Sequence, residues 1–225
     1  IRKKKKIIVK FFMRDENFEV IKHFGPSVLK TRIPDDMINK INNYVEKVIA
    51  DKRKVSDLDN GNYLVADVTQ EIRIEKEIME EIGWLKFLAE KIARWIDIET
   101  NQKISEMKMI TTWVVRQFEN EFNPTHWHEG HISGAGFLKV PKNLGQFKQS
   151  KPNNTFQGGN LNLIHGSRMF LNKSTYHIFP KVGDFYIFPN YLMHHVYPFK
   201  DSKEERRSIS FNFKIDENIY NVYKR

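Results

Sequence analysis

Apolar positions recur at two different periods along the chain, and the change of period divides it. Behind Pro34-Asp35-Asp36, the residues Ile38, Ile41, Val45, Val48 and Ile49 recur at helical steps, so one face of a helix is apolar. The two aspartates fall in its first turn, where the helix dipole favours acid. Ile78, Ile82, Leu85, Leu88, Ile92 and Trp95 repeat the pattern and predict a second helix from about Glu75 to about Asp97. Between the two, Lys52 to Gly61 is polar and turn-rich and reads as a loop. Ahead of them, Ile7 to Phe18 is rich in β-formers and predicts a strand.

After about Lys103 the period shortens. Met107 to Phe118, His131 to Val140, Asn160 to Ile164, Tyr176 to Phe179, Asp184 to Phe188, His194 to Tyr197 and Ser208 to Ile215 are short β-like runs separated by Gly, Pro, Asn and Asp. Many short strands with no helix between them predict an antiparallel sandwich or jelly-roll barrel, one sheet of which the earlier helices cover. The fold class is therefore mainly β with N-terminal α-helices. Lys142 to Gln157, rich in Lys, Asn, Gln, Gly and Pro, reads as a long loop. We expect residues 1–225 to form one domain: an N-terminal strand and supporting helices over 1–103, the barrel core over 104–215 and a C-terminal tail over 216–225.

Composition narrows the chemistry. With 40% hydrophobic, 29% charged and 13% aromatic residues, the 225-residue chain is globular in character. It has no cysteine, which excludes disulfides, thiolate zinc sites, iron–sulfur clusters and a Cys nucleophile, so any metal must be held by His, Asp or Glu. The net charge of +9 suits an anionic partner without selecting one, and nucleic acid is possible but not favoured. No apolar run reaches the length of a membrane span, so we expect no membrane association and a soluble, cytoplasmic protein. The basic run Arg2 to Lys6 resembles a signal peptide, but Lys10 and Arg14-Asp15-Glu16 interrupt the apolar stretch too early; it reads as a solvated tail. Oligomeric state is not legible.

All but one of the eight histidines fall between positions 126 and 195, a clustering that suggests metal. In Asn123-Pro124-Thr125-His126-Trp127-His128-Glu129 the two histidines are two apart, so in extended chain both imidazoles leave the same face and can meet one ion. His194 begins a late strand that an antiparallel barrel can bring opposite that pair. Three neutral nitrogens with open positions suit Fe(II), with Zn, Ni or Mn as substitutes. Ordinary polar residues at loop ends are the alternative for the pair alone. In Arg206-Arg207-Ser208-Ile209-Ser210-Phe211-Asn212-Phe213, alternation sends Arg206, Ser208, Ser210 and Asn212 to one face and the apolar residues, with Arg207, to the other. A polar face lining a barrel needs a ligand, and Arg206 with the Ser208 hydroxyl is a good carboxylate receptor; an edge strand with Arg206 solvated is the rival reading.

The order His126-x-His128, Ser133-Gly134, Phe137-Leu138-Lys139-Val140-Pro141, Gly183-Asp184-Phe185-Tyr186-Ile187-Phe188-Pro189, His194-x-Val196, Arg206-x-Ser208-Ile209-Ser210-Phe211-Asn212 resembles the 2-oxoglutarate/Fe(II)-dependent oxygenases, over roughly residues 104–215. It is most similar to a branch with HxH and a terminal RxSxSFN strand. The resemblance implies a double-stranded β-helix, a jelly-roll, cupin-like barrel, carrying a dioxygenase of the hydroxylase type. Fe(II) would be held by His126, His128 and His194, with 2-oxoglutarate as co-substrate and O2 as oxidant, giving succinate and CO2. Arg206 and Ser208 would hold the distal carboxylate, and Lys139 could assist them.

Where the wider family has a carboxylate, this chain has His128; Glu129 is the nearest acid but has the wrong strand parity. Gln117, Asn160 and Asn162 are weaker candidates for orienting substrate or a ligand nitrogen. His131, His165, His177 and His195 have no partner legible in the sequence, and Trp113 and Val115 read as core. The substrate, small molecule or protein, carries no readable code. Two rivals stay open: a three-His cupin-like dioxygenase or isomerase that uses no 2-oxoglutarate, and a non-catalytic basic binding module.

Overall fold

The computed structural model describes residues 18–21, 25–61, 65–148 and 155–224. Of the strand expected over Ile7–Phe18, only Phe18 lies among them, in β1 (Phe18–Ile21); the basic run Arg2–Lys6 lies outside. Helix α1 (Asp35–Ala50) begins behind Pro34, as its pattern predicts, and buries Met37, Ile38, Ile41, Val45 and Val48. The stretch expected to be a loop holds a short helix, α2 (Lys52–Asp57), because Asp51 ends α1 and caps the next turn: its carboxylate accepts from the Arg53 and Lys54 amides at 3.0 and 3.3 Å.

The second expected helix is two, α3 (Lys76–Ile82) and α4 (Trp84–Thr100). Gly83 divides them with φ of 83°, a left-handed conformation that ends α3 where a side chain would be strained. The apolar period runs through this break because both helices rest on the same sheet.

Among the described residues that sheet has seven strands, in the order β1, β2 (Val28–Arg32), β11 (Asp184–Pro189), β6 (Ile132–Lys139), β13 (Arg206–Ile215), β4 (Met107–Gln117) and β3 (Gln70–Arg73), and a second has four, in the order β10 (Thr175–Ile178), β9 (Leu161–Ile164), β12 (Met193–Val196) and β5 (Asn123–His126). Strands β7 (Gln146–Lys148) and β8 (Thr155–Gln157) pair within the stretch expected to be a loop.

The larger sheet separates two cores. Ile209, Phe211, Phe213 and Ile215 of β13 pack with Ile41, Val45, Trp84, Leu88 and Ile92 from the helices. On the other face, Phe137, Tyr186 and Phe188 pack with Leu161, Leu163 and Ile178 of the smaller sheet. Trp84 pins α4 to the sheet through an indole N–H donated to Thr112 Oγ1 at 3.1 Å. Gly134 is required on the helix side of β6, since a Cβ there would lie 2.6 Å from the Phe211 ring. Among the described residues, no helix is long and apolar enough to cross a membrane.

Register explains one further feature. Ser208 pairs with Phe137, but Arg207 pairs with Lys139, so β6 carries one extra residue at this point. This β-bulge turns Lys139 to the same side as Leu138, toward the helices.

Candidate metal centre

His126 is the last residue of β5 and is paired directly with His194 of β12, which sets their rings 4.3 Å apart between centroids. His128 lies beyond the end of β5, where Asn190 holds the chain: the His128 amide donates to the Asn190 carbonyl at 3.0 Å, and the Asn190 amide group donates to the His128 carbonyl at 3.1 Å. The three side chains offer ring nitrogens all within 4.8 Å of one another.

Tautomers are set by the backbone. His126 Nδ1 lies 2.7 Å from the Pro124 carbonyl and His194 Nδ1 lies 2.9 Å from the Leu192 carbonyl. Carbonyls only accept, so each Nδ1 carries the hydrogen and each Nε2 keeps a lone pair. Nε2 of His128 and Nε2 of His194 are 3.1 Å apart, a contact closed either by a proton on His128 or by a cation between them.

Apolar walls hold the rings neutral. Trp113 meets His128 edge-on and Phe188 meets His194 edge-on. Burial lowers the pKa of all three, with His126 adding to the effect at the other two; His128 falls to about 3 and His194 well below the usual value. Neutral, oriented imidazoles are the state a divalent first-row metal binds, so the donor set fits such an ion. Glu129 is exposed, lines an outer groove with Trp127 and is not part of the cluster.

One cavity joins the three imidazoles to Arg206, Ser208, Gln117 and Trp113. Arg206 is only 2% exposed, donating from Nε to the Gly159 carbonyl at 3.1 Å and from Nη1 to Ser208 Oγ at 3.3 Å, with its guanidinium over the Phe137 ring. No carboxylate among the described residues pairs with it, and burial pushes its pKa down to about 10. A buried cation without an anion is costly unless a ligand supplies one.

Arg207 points to the opposite face, as alternation requires, but it is no surface residue. It is fully buried, donating to both Glu205 carboxylate oxygens at 2.7 and 2.8 Å, to Glu46 at 2.9 Å and to Asn42 Oδ1 at 3.1 Å. Lys139 is not brought to the cavity: turned by the bulge, it donates to Glu46 at 2.6 Å beside Arg207. Gln117 lines the cavity with its amide donated to the Glu121 carbonyl. Asn162 is engaged by Asn160 and His177, and Asn160 is buried just before β9.

The other described histidines have surroundings the sequence did not reveal, and His165 is exposed. His131 stacks on Tyr220 and accepts the Ile215 amide, and His195 bonds Thr125. Trp113 and Val115, read as core, are buried but face the cavity. Sequence reasoning missed Glu71 and Asn123, which line it too; the alternation about Ile72 sets Glu71 off the helix face, yet solvent is the default destination for a glutamate.

Residues 111–212 match the family described as "Putative 2OG-Fe(II) oxygenase". Over this stretch, just under half of the chain, the barrel is similar to the 2OG-Fe(II) oxygenases. That family uses Fe(II), 2-oxoglutarate and O2, as the resemblance in the motifs implied. Solved structures share its double-stranded β-helix. A Pseudomonas putida prolyl-4-hydroxylase superposes with a TM-score of 0.50 at 13% identity, over 88% of this chain and 92% of its own. A prolyl hydroxylase from Trichoplax adhaerens, in complex with a hypoxia inducible factor oxygen degradation domain peptide fragment, superposes with a TM-score of 0.53 at 16% identity, over 92% of this chain and 86% of its own. At these identities the likeness establishes the fold. No curated protein sequence matches the chain.

Proposed function

We propose that the protein is an Fe(II)- and 2-oxoglutarate-dependent hydroxylase in which His126, His128 and His194 hold the iron and Arg206 with Ser208 holds the distal carboxylate of 2-oxoglutarate. The observation that carries this reading is a buried guanidinium, paired with no carboxylate among the described residues, in the same cavity as three neutral imidazoles.

When bound, iron and 2-oxoglutarate supply the oxidation: the keto acid loses CO2 and becomes succinate as one atom of O2 enters it and the other enters a substrate C–H bond. This chain's residues do the positioning. The Pro124 and Leu192 carbonyls orient two imidazoles, and Trp113 and Phe188 keep water from the rings. Arg206, held by Gly159 and stacked on Phe137, presents its remaining N–H groups to an acid in a dry site, where a charge-assisted pair is strong.

A three-His site also suits a cupin-like oxygenase or isomerase with no co-substrate, but such an enzyme has no use for a buried Arg206. The binding-module reading leaves both the imidazoles and Arg206 unexplained. The outer groove beyond the histidines, lined by Asn60, Arg73 and the exposed Trp127, is open enough for a peptide, so a protein substrate is part of the proposal.

The test is metal content with co-substrate turnover. We expect one Fe(II) per chain and succinate formed only with Fe(II), 2-oxoglutarate and O2 together, both lost in His194→Ala. Full iron binding after both His126 and His194 are replaced would move the site elsewhere.

A further inference from the structure

The cavity contains a carboxyl that neither the iron nor the co-substrate uses. Glu71, on the edge strand β3, is 3% exposed and lines the cavity, yet its carboxyl makes no hydrogen bond or ion pair with any described residue. Register sets it in one row across the sheet with Val115, Ser208 and Phe137. Two strand spacings therefore separate it from Ser208, about 10 Å. Asn123 Oδ1, on another wall of the same cavity, is also buried without a partner.

The walls of the cavity thus carry opposite chemistry. Arg206 and Ser208 on β13 offer donors, whereas Glu71 on β3 and Asn123 on β5 offer acceptors, with the imidazole cluster sharing the space. We propose that Glu71 and Asn123 form a substrate subsite for a cationic nitrogen, an ammonium or guanidinium, and so select substrates that carry a basic group. Calling it a substrate subsite rests on the hydroxylase reading.

Ionisation decides between a cation and a neutral donor. Burial, and then the nearby carboxylate of Asp59, push the Glu71 carboxyl up to about 8, so the empty cavity holds it protonated. Among the described residues that line the cavity, the other charged or titratable groups are Arg206 and the imidazoles, with Arg73 farther along β3 toward the outer groove. A neutral N–H satisfies one oxygen and leaves the cost of ionisation in place. A cation lets Glu71 ionise and gains a charge-assisted pair in a dry site. Asp59 adds to the attraction, while Arg206 repels the same cation and attracts the acid, so the two ligands cannot exchange ends.

The experiment uses the full chain free of metal and co-substrate, with methylguanidinium and n-butylammonium as probes and N-methylurea and 1-pentanol as neutral counterparts. At a pH of about 6, infrared difference spectra should contain a buried carboxylic acid C=O band that is absent in Glu71→Gln and that disappears when methylguanidinium binds. Titration followed by NMR should show the cations bound at least tenfold more weakly by Glu71→Gln, with the neutral probes unchanged. Neutral probes that bind wild type as tightly as the cations, cation binding unaltered in Glu71→Gln, or an acid band that persists with the cation bound would each overturn the proposal. The infrared readout on wild type stands even if the variant folds poorly. Because no metal is present, failure here is separate from failure of the hydroxylase reading, which appears as absent succinate formation in the loaded protein.

Discussion

Replacing Arg206 by Met should make the empty protein no less stable and yet remove most of what 2-oxoglutarate does for it. The guanidinium is 2% exposed, its two described hydrogen bonds run to a carbonyl and a hydroxyl, and no carboxylate among the described residues offsets its charge. Exchanging a poorly compensated buried charge for an apolar chain of similar length is commonly neutral or stabilising by about 1–4 kcal/mol. Binding should move the other way. Loss of a largely desolvated, charge-assisted pair costs about 2–5 kcal/mol, a dissociation constant raised roughly thirtyfold or more, with a hundredfold inside the range.

The assay is thermal unfolding of the Mn(II)-loaded protein with and without 2-oxoglutarate. At a concentration a hundred times the wild-type dissociation constant, binding stabilises by about 2.7 kcal/mol, whereas a hundredfold weaker variant gains only about 0.4 kcal/mol. At about 2–4 °C per kcal/mol for a chain of this size, wild type should rise by about 5–10 °C and Arg206→Met by about 1 °C. A ligand-induced shift equal in the two proteins would refute the carboxylate clamp. A fall of several degrees in the empty variant would refute the claim that Arg206 is an uncompensated charge.

Arg207→Ala should do the reverse: it removes the buried guanidinium from Glu205 and Glu46, which keep Arg116 and Lys139 as partners, and should cost about 1.5–3 kcal/mol in chemical denaturation, while 2-oxoglutarate affinity of the folded protein stays within a few-fold. Glu129→Gln should leave iron stoichiometry unchanged, because Glu129 is exposed and outside the imidazole cluster; iron loss with the fold intact by circular dichroism would restore a carboxylate ligand. Metal-free protein should lose stability as pH falls below about 6.5, the ordinary His value, since the unfolded chain then takes up protons that His128 and His194 refuse when folded. Each contributes up to about 1.4 kcal/mol per pH unit in that range, so His128→Gln should flatten the profile of melting temperature against pH, and an unchanged slope would contradict their neutrality.

Periodicity carried the parts of the fold that bury large apolar faces. Helix α1 and strands β4, β6, β11 and β13 lie close to where their patterns placed them, because each has a long enough run to show its period. The break at Gly83 was hidden, since α3 and α4 share one apolar face and the chain's only departure there is a backbone angle. Strands β3 and β5, with sequences Gln70-Glu71-Ile72-Arg73 and Asn123-Pro124-Thr125-His126, have too few apolar residues to register as strands, yet their pairing positions Glu71 and His126.

Parity placed Arg206 and Ser208 on the cavity face and Arg207 away from it, but parity cannot see a bulge. One inserted residue in β6 sends Lys139 to Glu46 instead of the cavity. Nor does it report burial: Arg207 lies in a carboxylate network supplied by α1 and the residue before β13, contacts that only the tertiary fold creates.

The most direct measurement of the central claim is an anaerobic titration of the Fe(II)-loaded protein with 2-oxoglutarate, following the visible charge-transfer absorption that arises when a keto acid chelates iron(II). It needs no knowledge of the primary substrate. Saturable growth of the band with one equivalent of iron, its loss in His194→Ala and a roughly hundredfold higher half-saturation in Arg206→Met are the expected results. Stoichiometric iron at the histidines with no band at any 2-oxoglutarate concentration would contradict the account and leave a three-His centre of different chemistry.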